Sequence, residues 1–308
     1  MKKYKPEGCL FSTAVNQKLI SSLEGLSDAM KNNIILEARA VVCDSSHNLI
    51  VDLPIGKAFI PREEGAVGIA EGTKRDIALI SRVNKIVCFK VTSIDFIGKN
   101  SFCATLSRKA AQMECTENYI DQLASGDIID AKVTHLEQFG CFVDIGCGIP
   151  SLIPIDTISV SRISHPSDRF KVGDEIRAAV KSTENGRIYL THKELLGTWE
   201  ENASAFQAGE TVSGIVRSIE DYGIFVELAP NLAGLAEPRP GIKVGQNVSV
   251  YIKALIPDKM KVKLIIVDVC EENLNPIKNR YFCSDEHISH WQYAPESSNK
   301  SIETIFDK

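Results

Sequence analysis

The chain has 308 residues, room for two or three ordinary domains, and 44% hydrophobic with 24% charged residues excludes an intrinsically disordered polymer. The net charge of −5 argues against a broadly basic nucleic-acid-binding surface, and no apolar run reaches the roughly eighteen residues of a membrane helix. Nine cysteines, odd in number and without a C-x-x-C pair, argue against a disulfide framework or zinc knuckles and point to the cytosol.

The basic start, Met1-Lys2-Lys3-Tyr4-Lys5, is not followed by an apolar core, so no secretory leader is expected. Residues 14–31 place Leu19, Leu23, Leu26 and Met30 on one stripe, which predicts a helix docked on a first domain at 1–110. Inside it, Ile50-Val51-Asp52-Leu53, Ala58-Phe59-Ile60-Pro61 and Leu106-Ser107-Arg108-Lys109 are a weak copy of a pattern that recurs twice further on. A helical joint is expected over 107–124, with the linker proper at 111–125.

The middle copy, 126–193, reads as strands at 127–136, 141–145, 150–154, 174–182 and 187–192. A polar loop over 156–170 interrupts them, and Glu184-Asn185-Gly186 makes the last hairpin turn. A second helical joint at 192–206, linker 194–208, carries Trp199 and Phe206 for packing between neighbours. The last copy, 209–270, repeats the order with a much shorter loop, Pro238-Arg239-Pro240-Gly241, and a final hairpin around Pro257-Asp258-Lys259. After Asp268 the alternation stops, and no element is predicted for the tail at 271–308. Five short strands per copy predict a small closed barrel of the OB type, so the fold class is all-β with helical linkers: three tandem five-stranded barrels, the first degenerate.

Two stretches 83 positions apart carry the most pointed signal: Phe139-Gly140-Cys141-Phe142-Val143-Asp144-Ile145 and Tyr222-Gly223-Ile224-Phe225-Val226-Glu227-Leu228. Side chains alternate between the faces of a strand. With Cys141, Val143 and Ile145 inside, Phe142 and Asp144 face out; with Ile224, Val226 and Leu228 inside, Phe225 and Glu227 face out. An outward ring repeated at one place in two domains suits base stacking, against the plainer reading that the rings pack on a neighbouring domain.

These residues resemble the S1 RNA-binding domain family, whose OB modules carry G-D-x-x-x-G-x-V, F-G-A-F-V, G-L-V-H-I-S, K-V-G-D and D-x-x-G-R-x-x-L-S in order. The middle copy matches at Gly126-Asp127, Phe139 to Val143, Lys171-Val172-Gly173-Asp174 and Gly186 to Thr191. The last matches at Gly209-Glu210, Tyr222 to Val226, Gly234-Leu235 and Lys243-Val244-Gly245. The likeness extends over roughly residues 35 to 268 and is to bacterial three-domain proteins similar to ribosomal protein S1. It implies binding of single-stranded RNA in translation, with the small ribosomal subunit as a second partner, and neither catalysis, cofactor nor membrane partner. On it the expected RNA-binding residues are Phe139, Phe142, Arg187 and Lys132 in the middle copy, and Tyr222, Phe225, Arg217 and Lys261 in the last. The family's third-strand histidine is replaced by Pro154 and Glu237, which implies weaker or less base-selective binding.

The bland alternatives are specific. Arg187 and Lys261 could be ordinary solvated hairpin charges, and Lys132 and Arg217 sit on first strands that only border the same groove. His135 reads as a surface histidine. The first copy has His47 and Ile50 at the ring positions, and so is expected to be structural. His287-x-x-His290 with Cys283 lacks a fourth ligand and matches no zinc spacing. No catalytic set converges in the sequence. The rival function, favoured by the acidic balance, is a protein–protein adaptor docking on the ribosome or an RNA-processing enzyme.

Overall fold

The same five-stranded closed barrel occurs three times in a computed structural model that describes residues 4–96, 102–184, 186–270 and 279–306. In each, the strand order is first, second, third, fifth, fourth. The fourth strand returns antiparallel to the first, and the fifth runs parallel to the third. This is the OB-type closure expected from the strand pattern. Asn185 of the predicted turn and residues 271–278 of the tail lie outside the described residues. The chain forms two compact units, 1–123 with 144–150, and 124–143 with 151–308.

In the first unit, β1 (Leu36–Cys43), β2 (Leu49–Leu53), β3 (Gly56–Ile60), β4 (Ile86–Phe96) and β5 (Phe102–Ser107) form the barrel. Alternate residues fill its core, among them Leu36, Ala38, Leu49, Val51, Ile60, Phe89 and Leu106. The expected helix over 14–31 is two helices, α1 (Ala14–Ile20) and α2 (Leu23–Lys31). The break falls at Ser21-Ser22 because the Ser22 hydroxyl accepts from Gly25 N–H and caps the second helix, a role that competes with helix continuation. Gly25 is needed there: a Cβ would stand 2.4 Å from the Leu19 carbonyl oxygen. A short helix, α3 (Ile77–Ile80), precedes β4, and α4 (Arg108–Asn118) follows β5, capped by Ser107.

The polar centre of this unit is the buried pair Glu7 and Arg108, with Arg108 Nε donating to Glu7 Oε1 at 2.6 Å. Burial pushes the Glu7 carboxyl up, but the Arg108 and Arg82 guanidiniums outweigh it and hold Glu7 below the usual range. Asp144 belongs to this unit and is buried, accepting from the Glu7, Gly146 and Gly148 amides at 2.7, 2.8 and 3.0 Å. That corrects the expectation that Asp144 faces solvent. Alternation does turn it away from the barrel core, but the three amides enclose its carboxylate, and burial with the nearby Glu7 charge raises it to about 6.

In the second unit, β6 (Ile128–Glu137), β7 (Gly140–Asp144), β8 (Pro150–Pro154), β9 (Glu175–Glu184) and β10 (Arg187–Thr191) make the middle barrel. β11 (Thr211–Glu220), β12 (Gly223–Ala229), β13 (Leu232–Ala236), β14 (Asn247–Ile256) and β15 (Lys261–Cys270) make the last. The predicted joint after β10 is a 3-10 turn at Lys193–Leu196 and a short helix, α5 (Trp199–Ala203), whose Thr198 and Glu201 form a capping box. The long loop of the middle barrel reaches the last barrel. Arg169 Nη2 donates to Glu227 Oε2 at 2.6 Å, and Val160 N–H donates to Asn231 Oδ1 at 2.9 Å.

The tail is ordered by that unit. Ile128 N–H donates to Glu286 O, Ile288 N–H to Gly126 O, and Phe282 N–H to Leu195 O, at 2.8 to 2.9 Å. The Arg177 guanidinium donates to the carbonyls of Cys283 and Asp285. The tail ends in a small hairpin of β16 (His290–Gln292) and β17 (Glu303–Ile305). Trp291 and Tyr293 join the core of the last barrel beside Trp199. The hairpin strands are only three residues each, and Trp291, at the centre of β16, is both a strand residue and an anchor.

Candidate nucleic-acid interface

Each ring pair is built by a tight β-turn whose glycine cannot be replaced without a collision. A Cβ on Gly140 would lie 2.5 Å from Ile153 O, and one on Gly223 would lie 2.7 Å from Ala236 O. The glycine lets the neighbouring third strand approach closely at that point, with a ring on either side of it in the chain. Phe139 and Phe142 sit with ring centroids 5.9 Å apart at 90°, and Tyr222 with Phe225 at 6.2 Å and 90°. Phe139 is 56% and Tyr222 67% exposed, while Phe142 and Phe225 are half-buried at the base of their pairs. Perpendicular rings present one face and one edge to an incoming group, an edge-to-face geometry that leaves the face of one ring open.

On the last barrel this pair belongs to an open groove of about 570 Å³. Its floor is Tyr222, Phe225, Gly234, Leu235 and Leu264, and its cationic rim is Lys253, Lys259, Lys261 and Lys263 with Lys300 from the tail. Lys261 was expected here; the others were not. Lys263 follows from Lys261 by simple alternation on β15, and lies opposite Leu235 in the parallel β13–β15 register. Lys253 was not readable that way. It is the extra residue at an irregularity between Ile252 and Ala254 in the β14–β15 pairing, and a bulge re-aims the side chain it carries. Four of the seven Lys and Arg residues over 209–268 thus line one groove, which a net charge of −5 conceals. Glu237 is the carboxylate on the same rim.

The middle barrel has a richer row of rings and fewer cations. His135 lies 6.4 Å from Phe142, extending the Phe139–Phe142 pair, with its Nε2 2.7 Å from Glu137. Tyr189 takes the place of Lys263, since it lies opposite Leu152 in the parallel β8–β10 register. Tyr189 was also missed, although it follows from Arg187 by the same alternation that gives Lys263 from Lys261. Arg187 is exposed at the start of β10, opposite Glu184, and Lys132 stands on β6 opposite Glu175.

Arg217 is a correction. Its guanidinium is spent on Glu227, at 2.7 Å, and on Asp168, at 3.1 Å, and its side chain is almost fully buried. Glu227 is likewise sealed rather than exposed, held between Arg169 and Arg217. Alternation places both on the outer face as expected, but the loop of the middle barrel covers that face. In the first barrel, the ring positions hold His47 and Ile50. The cross-strand partner of Ile50 is Phe59, a half-buried ring.

Among the described residues, no three histidine, cysteine or carboxylate side chains converge as a metal site. His287 and His290 bond instead to Asp127 and Glu303, each at 2.8 Å. All nine cysteines are free, and no described helix is long and apolar enough to cross a membrane.

Residues 122–193 match the S1 RNA binding domain family. The chain is 32% identical over 235 residues to small ribosomal subunit protein bS1 of Leuconostoc lactis, across 74% of this chain and 52% of that one. It is 29% identical over 259 residues to the bS1 protein of Staphylococcus aureus (strain COL), across 78% of this chain and 63% of that one. The chain therefore spans between half and two thirds of the length of these relatives. A solved multidomain protein with nucleic acid binding domains from Streptococcus pneumoniae aligns over 78% of this chain and 75% of its own, at 15% identity and a TM-score of 0.25, and adds nothing to the fold. Three barrels of one topology, with residues 122–193 matched outright, make the chain S1-like and its middle barrel an S1 RNA binding domain.

Proposed function

We propose that the chain binds single-stranded RNA on its middle and last barrels and serves an S1-like role in translation, without catalysis. The observation that carries this reading is the last barrel's groove, where an open ring pair lies inside a rim of lysines. Unpaired bases stack on such rings at about 1–3 kcal/mol each and with little regard to sequence, while ammonium groups take the phosphates. A duplex hides its base faces, so the surface selects single strands. The middle barrel, with its row of rings and few cations, adds stacking to the same strand.

The division of labour predicts the test. Phe225→Ala and Phe142→Ala should each weaken binding of a short oligouridylate by about 1–3 kcal/mol in a fluorescence anisotropy titration, with Phe225→Ala the more damaging. Unchanged affinity in a folded double variant would sink the reading. Attachment to the small ribosomal subunit is proposed on the likeness to bS1 proteins. Co-sedimentation with small subunits, before and after nuclease treatment, separates an RNA-bridged association from a protein docking surface.

A further inference from the structure

We infer that the C-terminal hairpin is part of the RNA-binding surface, with Lys300 contacting a phosphate of a strand lying in the last barrel's groove; this rests on the function proposed above. Lys300 lines that groove together with Tyr222 and Phe225, yet it comes from outside the barrel, in the connection between β16 and β17. The connection is held at both ends. Tyr293 N–H donates to Ile302 O at 2.8 Å, and Ser298 N–H donates to Pro295 O at 2.9 Å. Nearer Lys300, its own N–H donates to Ser298 Oγ at 3.2 Å.

The base of the hairpin is fixed to the barrel itself. Trp291 and Tyr293 are buried in its core cluster, Tyr293 Oη donates to Asn231 O at 2.6 Å, and Trp199 N–H donates to Tyr293 O at 3.0 Å. The lysine is therefore carried on an anchored loop, so little ordering entropy is lost when a phosphate reaches it. The barrel's own lysines lie on β14, β15 and their connection, and Lys300 adds a cation from a separate piece of chain. A groove with cations from two chain segments can hold one sugar–phosphate backbone while its bases stack on Tyr222 and Phe225.

The experiment uses the full chain and a fluorescent oligouridylate, titrated at several potassium chloride concentrations. Lys300→Ala should weaken binding several-fold and make the log–log salt slope shallower by about 0.7, the value for one phosphate on a single strand. Lys300→Glu should weaken it further, Lys300→Arg should restore the slope, and Lys18→Ala, on the exposed face of α1, should leave it unchanged. If Tyr222→Ala/Phe225→Ala weakens binding but Lys300→Ala and Lys300→Glu keep the wild-type affinity and slope, the hairpin is only a buttress and the inference fails alone. If the unsubstituted chain does not bind the oligonucleotide, the inference and the proposed function fall together.

Discussion

Arg169, in the long loop of the middle barrel, donates a 2.6 Å hydrogen bond to Glu227 on the second strand of the last barrel, and both side chains are at most 1% exposed. Arg217 approaches the same carboxylate from β11 and continues to Asp168, closing a chain of four charges between the two barrels. Removing the central carboxylate leaves two buried guanidiniums facing each other. Glu227→Ala should therefore lower stability by about 3–5 kcal/mol in urea unfolding, and Arg169→Ala by less, because Arg217 still pairs. A Glu227→Ala variant within about 1 kcal/mol of the unsubstituted protein would show that the network is solvated in solution.

His192 provides a pH signature. Its Nδ1 lies 2.9 Å from Ile158 O, which can only accept, so Nδ1 carries the proton and Nε2 accepts from Tyr281 Oη at 3.2 Å. Burial, with the Arg169 charge nearby, lowers the imidazole to about 4 despite that carbonyl bond. Above the ordinary histidine value both folded and unfolded chains are neutral, and the group contributes nothing to pH dependence. As pH falls from about 6.5 to 4 the unfolded chain takes up the proton first, and up to about 3 kcal/mol of stability is lost over that window. Unfolding midpoints measured between pH 7 and 4 should show this decline, and a His192→Gln variant should flatten it. The same slope in both would assign the decline to other groups.

The lysine rim has its own reporter. Lys261→Ala with Lys263→Ala should make the salt slope of oligouridylate binding shallower by about 1.4, two phosphates on a single strand. Arg217→Ala should cost stability instead and leave the slope unchanged, because its guanidinium is committed to Glu227 and Asp168. A shallower slope for Arg217→Ala would place that arginine back in the groove.

Trp291 stands more than twenty positions after β15 in the chain, yet packs into the core that β15 helps to form. Trp291→Ala should cost about 3–5 kcal/mol, a loss that ordinary surface tails do not produce. Circular dichroism melting would detect it. An unshifted transition would mean that the hairpin contributes nothing to the barrel.

Much of this was legible in the residues. The two ring–glycine–ring stretches fixed the outward faces of Phe142 and Phe225, and strand alternation located every barrel. What alternation cannot say is whether an outward residue meets water. Asp144, Arg217 and Glu227 all lie on the outer side as expected and are all covered, because a face's neighbour is a property of tertiary structure. Lys253 was hidden by an irregularity in pairing, whereas Tyr189 was within reach of alternation from Arg187. The single helix expected over 14–31 breaks where a serine prefers capping to continuing. The tail's strands are three residues each, too short for the alternation of Trp291 and Tyr293 across Gln292 to stand out.

The buried position of Tyr293 has a consequence for how the protein is made. A chain emerging in sequence order delivers β11 to β15 before Trp291 and Tyr293, which join the same core cluster, so that cluster is complete only once the hairpin has been made. Until then the apolar surface that those two rings cover faces water, and a pause at that point leaves it open to non-specific contacts.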